Sequence, residues 1–289
     1  MIDYERPKYS EIRYTGEYTE IPDKYDYVQL KMDGMYGNLI IGDGEWSITS
    51  RTGIVKAEGV WPNDTDTYHL TGEWMKGSHW AKRMDINENR FYVFDCYVYD
   101  GDDLSEREYY MREKYAGRAV RHMDDIIYSD FGDSRPTFHP SKVRTFDTYK
   151  WNQLWTQWVM DKGYEGLIFK DSNSLYDMAR MKKIVEMDYI CVGFEPADEK
   201  SKYNGLVGAV KGTLIDKDIV VECGGLTDEQ RHEYTTNAEN YVGKIFTAKG
   251  NDWFPSGSIR HPKFREWRED KTHYECSYTQ VPEDIRSED

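Results

Sequence analysis

The sequence predicts an α+β chain of two domains, the second a small β-barrel such as an OB-fold. Its 289 residues amount to roughly two domains at about 150 residues each. Strand-like and helix-like stretches mix through the first part without the regular strand–helix alternation of a doubly wound sheet. Near residues 194–204 the texture changes to FEPADEKSKYN, polar and without an apolar period, and a strand-rich stretch with one short helix follows. The expected domains are therefore 1–194 and 195–289.

The elements follow in order. YDYVQLK, NLIIG, EWSIT, YHLTGEW and FYVFDCYVY are short apolar runs bounded by turn residues, and each is expected as a strand. Ser105-Glu106-Arg107-Glu108 has capping-box spacing and predicts a helix to about His122. A second helix is expected from about Asp147 to Lys162, stopping at Gly163, with Trp151, Leu154, Trp155, Trp158 and Val159 as a core-facing stripe. Beyond the boundary, LVGAVKGTLI and DIVVECGG predict strands. A short helix opens at Thr227-Asp228-Glu229-Gln230, and a further strand lies near Lys244–Ala248. Gly208, Gly212, Gly224 and Gly225 suit barrel bends or turns. Lys200-Ser201-Lys202 is expected in a solvated loop, and everything after Lys271 as a frayed acidic tail.

Composition excludes several classes. An aromatic content of 15% is too high for a disordered chain. No apolar run is long enough to span a bilayer, and the opening MIDYERPKYSE lacks the layout of a secretory signal. Cys96, Cys191, Cys223 and Cys276 lie far apart, which is neither a zinc pattern nor a disulfide framework, and reduced thiols in a cytoplasmic protein are expected. His69, His79 and His122 have no partner spacing and are expected as surface or core histidines. With 38 Lys+Arg against 53 Asp+Glu the net charge is -15, which on average counts against nucleic-acid binding. The average hides a split. Pro255 to Lys271 carries five basic against three acidic residues, net +2, while Thr272 to Asp289 carries one against five, net -4.

Lys31-Met32-Asp33-Gly34-Met35-Tyr36-Gly37 places a lysine at the end of a strand-like run, followed at once by an Asp-Gly turn. Alone it reads as a surface hairpin. Further short motifs follow in order: Ser50-Arg51-Thr52-Gly53, Thr71-Gly72-Glu73, Phe94-Asp95, Glu165-Gly166-Leu167-Ile168-Phe169-Lys170, Arg180-Met181-Lys182, Gly257-Ser258-Ile259-Arg260-His261-Pro262-Lys263-Phe264 and Arg268-Glu269-Asp270-Lys271. In this order and spacing the chain resembles the covalent nucleotidyltransferase superfamily, and within it the ATP-dependent DNA ligases of compact bacteriophage type. The fold implied is a nucleotidyltransferase (adenylation) domain with mixed and antiparallel sheets, followed by an OB domain.

The resemblance implies roles residue by residue. Lys31 would be the nucleophile that takes AMP from ATP. Gln29, Asp33, Gly34, Glu73, Phe94, Lys170, Arg180, Lys182 and Arg268 would bind the nucleotide, Phe94 by stacking on adenine. Lys170, Lys182, Asp270 and Lys271 would assist catalysis. Glu73 and Glu165 would face Mg²⁺, and Arg51 and Arg260 would contact DNA, Arg51 at the nick 5′-phosphate. Tyr36 stands where the family has Arg, so a cation near the nucleotide is missing or supplied from elsewhere. Arg180 replaces the first lysine of K-x-K, which keeps charge but changes geometry.

The residue types support this chemistry. An ordinary lysine is protonated at neutral pH, and neighbouring cations such as Lys170 and Lys182 free its lone pair. Glutamates are suitable ligands for a hard cation. The expected activity is sealing of 5′-phosphate/3′-hydroxyl nicks in duplex DNA by a monomer in the cytoplasm, the host's if viral. Arg51, Lys170, Lys182 and Arg260 are expected on a basic inner face. The alternatives are an mRNA-capping guanylyltransferase, an RNA ligase, and a non-catalytic OB-type single-strand binder, which would have no need of Lys31.

Overall fold

The structure, a computed structural model, describes residues 9–16, 18–78, 81–82, 84–129, 136–283 and 285–286; His79 lies outside them. The chain divides into two compact units, Met1–Lys182 and Lys183–Asp289. The expected boundary at 194/195 is too late. The residues Val185–Pro196 form one continuous strand, so the polar texture of FEPADEKSKYN belongs to the end of that strand and the turn after it.

Strands and helices are numbered in chain order. In the first unit a seven-stranded sheet runs β5 (Val55–Val60), β4 (Glu45–Thr49), β3 (Met35–Gly42), β6 (Tyr68–Trp74), β7 (Arg90–Tyr99) and β8 (Asp102–Asp103). Its seventh strand, β9 (His139–Lys142), lies parallel to the first half of β7. Helix α1 (Tyr109–Tyr128) covers it, burying Ala116, Ala119, Val120, Met123 and Ile127 with Leu39, Ile41, Ile48, Leu70, Phe91 and Val93.

The helix starts three residues later than an N-cap at Ser105 predicts and runs past His122. Its N-cap Glu108 makes no side-chain cap bond. Its first amides are satisfied by another segment instead: Tyr109 donates to the Ser174 carbonyl and Tyr110 to that of Ser172. The capping-box spacing at 105–108 was a coincidence of composition, because tertiary carbonyls replaced the local cap.

The second sheet of this unit has the order β1 (Tyr9–Glu11), β12 (Met178–Lys182), β11 (Gly166–Lys170), β2 (Tyr27–Lys31), β10 (Thr145–Asp147), with β1 parallel to β12 and the other pairs antiparallel. Side chains alternate faces along a strand. Val28, Leu30, Leu167, Phe169, Ala179 and Met181 therefore share one face, which packs against Leu154, Trp155 and Val159. Those three belong to the expected second helix: a 3₁₀ turn Thr148–Lys150, then α2 (Trp151–Leu154), then a π-helix Trp155–Met160. Gly163 ends the segment at φ +70°, a left-handed conformation that glycine takes without strain. The opposite face of the sheet carries Gln29, Lys31, Lys170, Arg180 and Lys182. The period of two thus separates a core face from a polar face.

The second unit is a five-stranded sheet, β15 (Val221–Cys223), β14 (Val207–Thr213), β13 (Val185–Pro196), β16 (Ile245–Gly250), β17 (Lys263–Trp267). It closes on itself beyond β15: Gly224 bridges to Lys263, with Gly224 donating to the Pro262 carbonyl and accepting from the Phe264 amide. Around the circle the strands run first, second, third, fifth, fourth, the connectivity of an OB barrel. Helix α3 (Asp228–Thr236) follows β15 and opens at the expected place, with a capping box in which Thr227 and Gln230 bond each other's backbone amides. The segment after Lys271 is not frayed up to residue 283. Cys276 and Val281 are buried, Tyr278 bonds Asp216, and both ends of the Gln280 amide bond the backbone of Asp188. Its acidic composition concealed the apolar anchors that dock it. All four cysteines are free and buried.

Candidate active site

Lys31 ends β2, Gly166 begins β11, and Lys182 ends β12. The register pairs Gly166 with both lysines, so Glu165, one residue ahead, stands between them. Its carboxylate spans both: one oxygen accepts from Lys31 Nζ, and the other lies 2.7 Å from Lys182 Nζ. Glycine is required at 166 because a Cβ there would overlap the Met181 carbonyl of the neighbouring strand. Burial alone would raise the Glu165 pKa, yet Lys31 and then Lys182 outweigh it and hold the carboxyl below its ordinary value.

The turn after Lys31 folds back on β6. Gly34 donates its amide to Glu73 Oε1 at 3.2 Å, and a Cβ on Gly34 would strike the Trp74 carbonyl. Burial pushes the Glu73 carboxyl up to about 7; Lys31 and the Gly34 amide oppose this, while Glu165 and Asp33 add to it. Asp33 is buried, its carbonyl accepting from Ser78 Oγ at 2.5 Å. Across the sheet Tyr36 pairs with Glu73. The Tyr36 ring lies 6.1 Å from that of Phe94, and the Arg51 guanidinium sits over the Tyr36 ring, 4.8 Å from its centre. Phe94 owes its position to a β-bulge. Thr71 pairs with Asp95 and Gly72 with Val93, so Phe94 is the extra residue, and such bulges re-aim a side chain.

Lys170, at the far end of β11, is only 3% exposed. Its Nζ reaches the Phe94 carbonyl at 3.4 Å and lies 3.9 Å from the Tyr109 ring and 5.5 Å from that of Phe94. Burial lowers its pKa from 10.5 to about 7. It is therefore not part of a basic inner face, contrary to the charge pattern's suggestion. Gln29 is also engaged, donating to Tyr109 Oη and to Thr145 Oγ1, both at 2.9 Å. Behind the bulge, fully buried Arg112 grips Asp95 with two bonds of 2.8 and 3.0 Å and donates to the carbonyls of Arg107 and Leu175. Arg180 pairs with Glu11 of β1.

Arg268, Asp270, Lys271 and Arg260 belong to the second unit. Arg268 holds Asp270 through two bonds, 2.8 and 2.6 Å, and that hydrogen bonding depresses the Asp270 carboxyl to about 2. Lys271 bonds Glu275 at 2.8 Å. Buried Asp188 stands behind both cations, 3.6 Å from Arg268 and 3.9 Å from Lys271, and accepts from Thr247 Oγ1 at 2.5 Å. Arg260 sits on the turn before β17, its amide bonded to the Asp252 carbonyl.

Sequence reasoning missed four contributors. Tyr9 and Glu11 enter through the added strand β1, and Tyr109 shields Lys170; no short-range signal marks any of them. Asp188 carried one, an acid flanked by Met187 and Tyr189 within the strand-forming run VEMDYICV. His69 and His122 fall as expected into structure: His69 is buried, with burial lowering its pKa to about 4, and His122 bonds Asp66.

Residues 54–185 match the family model of the ATP dependent DNA ligase domain. That stretch is similar to an ATP-dependent DNA ligase domain. It contains Glu73, Phe94, Glu165, Lys170, Arg180 and Lys182, and it begins after Lys31, which pairs with Gly166, and after Arg51, whose ring partner Tyr36 pairs with Glu73. Among solved structures the chain is similar to "Pmar-Lig_Pre." (18% identity, TM-score 0.60, covering 85% of this chain and 64% of that one). It is similar to "Pmar-Lig_PreS3" (17%, 0.60, 84% and 63%). A Lig E DNA ligase from a study of DNA binding with a minimal scaffold matches over 93% of this chain and all of that one, at 17% identity and TM-score 0.56. These likenesses support the two-domain ligase fold. The chain spans less than two thirds of the first two relatives it matches. No curated protein matches the sequence.

Proposed function

We propose that this chain is an ATP-dependent DNA ligase that seals 5′-phosphate/3′-hydroxyl nicks in duplex DNA, with Lys31 as the residue that carries AMP. The observation that carries the reading is the Lys31–Glu165–Lys182 cluster on the polar face of a ligase-domain sheet.

Chemistry follows from that cluster. Lys31 Nζ, once neutral, attacks the α-phosphorus of ATP; the N–P bond forms as the bond to pyrophosphate breaks. Glu165 is already hydrogen-bonded to Nζ and is placed to take the proton that leaves it. Lys182, on the other oxygen of the same carboxylate, supplies positive charge to the phosphate under attack. Phe94 offers an aromatic face for adenine. AMP then passes to the 5′-phosphate of the nick, which breaks the N–P bond and restores Lys31. The 3′-hydroxyl attacks that phosphate and AMP leaves. Arg268 and Lys271 are cations suited to the departing pyrophosphate.

Mg²⁺ fits the acidic residues here. Among the described residues no group of three His, Cys, Asp or Glu side chains gathers. A hard cation held by one or two carboxylates and substrate oxygens needs fewer. Glu73, raised to about 7 by burial and by the charges of Glu165 and Asp33, gains from a cation beside it, and Glu165 is the second candidate. When bound, the ion would neutralise phosphate charge. No helix among the described residues is long and apolar enough to cross a membrane.

The test uses α-labelled ATP and, separately, α-labelled GTP with Mg²⁺, followed by denaturation and by sealing assays on nicked duplex DNA. Label from ATP together with sealing is expected. Label from GTP alone would favour capping chemistry, and no label from either would overturn the reading.

A further inference from the structure

Position 36 faces two groups of the site directly: Tyr36 pairs across the sheet with Glu73, and its ring lies 6.1 Å from that of Phe94. A tyrosine brings no charge to this point. The charge comes from the hairpin that follows β4. There Ser50 and Thr52 hydroxyls bond each other, the Ser50 hydroxyl accepts from the amides of Thr52 and Ile54, and Gly53 turns the chain at φ +82°. This compact turn carries Arg51, whose guanidinium lies 4.8 Å from the centre of the Tyr36 ring. A guanidinium over an aromatic face is held by the ring quadrupole. The Tyr9 hydroxyl reports the same placement from β1: burial chiefly, then Glu73 and Tyr36, raise its pKa, and Arg51 lowers it. The cation is thus close enough to act on groups of the site.

We infer that Arg51 is the nucleotide-site cation of this enzyme, and that Tyr36 is a positioning residue that holds its guanidinium beside Phe94 and Glu73. The inference rests on the ligase reading above. It gives Arg51 two successive duties: it first neutralises phosphate of the bound nucleoside triphosphate, and then it meets the 5′-phosphate of the nick. The two anions are used in sequence, so one cation serves both. An aromatic at position 36 suits that double use, because it holds the guanidinium by its planar face without bringing a competing charge.

The experiment measures the KM for ATP and the rate of Lys31 labelling, with nick closure on pre-adenylylated nicked DNA as the separate second readout. Wild type must label from ATP; failure there sinks the ligase reading and leaves this inference without a subject. Given wild-type labelling, Arg51→Ala is expected to raise the KM for ATP about ten- to a hundredfold, the range of a lost charge-assisted hydrogen bond. It should also slow closure of the pre-adenylylated nick. Tyr36→Leu should raise the same KM about two- to fivefold by losing the cation–π contact, and Tyr36→Phe should restore it. The double variant Tyr36→Arg/Arg51→Ala supplies the charge from the other side: labelling should recover while closure of the pre-adenylylated nick stays impaired. An unchanged KM in Arg51→Ala overturns the nucleotide role. Equal effects of Tyr36→Leu and Tyr36→Phe overturn the positioning role. A double variant in which both steps recover, or neither does, overturns the two duties.

Discussion

Replacing Lys170 by methionine should make the protein more stable and inactive. The lysine is 3% exposed, with one carbonyl at 3.4 Å and two ring faces around its Nζ. Burial lowers its pKa from 10.5 to about 7. At about 1.4 kcal/mol per pH unit, that difference amounts to about 5 kcal/mol. The sign follows from linkage. Below pH 7 the folded chain holds a charged, buried lysine and bears the whole cost. Between pH 7 and 10.5 the unfolded chain binds the extra proton, so stability rises with pH across that window, and above 10.5 the cost is gone. Methionine matches the lysine stem in volume and carries no charge. The variant should therefore exceed wild type by about 5 kcal/mol at pH 6 and by only about 2 kcal/mol at pH 9. Urea unfolding read from hydrogen exchange of the β11 amides reports the first unit alone. A variant no more stable than wild type at pH 6, or an advantage that does not shrink by pH 9, would refute this account of Lys170. Loss of labelling in the same variant would show why the lysine is kept: a stability cost carried for function.

Two further outcomes follow. Glu165→Gln keeps the shape of the bridge but removes the carboxylate that both Lys31 and Lys182 use, and labelling should fall about a hundredfold or more, as for a misplaced reacting group; the rate of label incorporation checks it. Arg112→Met leaves the Asp95 carboxylate buried without its partner, at a cost of about 3–5 kcal/mol. Calorimetry should show the first unit melting roughly 10 °C lower.

Much of this molecule was legible in its sequence. Lys31, Glu165 and Lys182 were singled out because short motifs keep their order, while the pairing of β2 and β12 with β11, which puts the two lysines on one face, came only with the structure. The stripe from Trp151 to Val159 was legible because helical spacing marks a buried side, even though the segment winds partly as a π-helix. The strand pattern of the second unit sufficed for its barrel. What escaped depended on distant partners. Ser105 has cap spacing, but carbonyls of Ser172 and Ser174 satisfy the helix start instead. Nothing near Tyr9 announces that it pairs with Met178, and nothing near Lys170 announces the rings that bury it. The tail after Lys271 looked disordered because its charge dominates the composition, while its order comes from single anchors such as Val281 and Gln280.

The central claim is that Lys31 carries the nucleotide, and peptide mass analysis after incubation with ATP and Mg²⁺ tests it most directly. The expected result is an AMP adduct on the peptide containing Lys31, absent from Lys31→Ala and discharged by nicked duplex DNA. An adduct on any other residue, or one that survives in Lys31→Ala, would contradict the account.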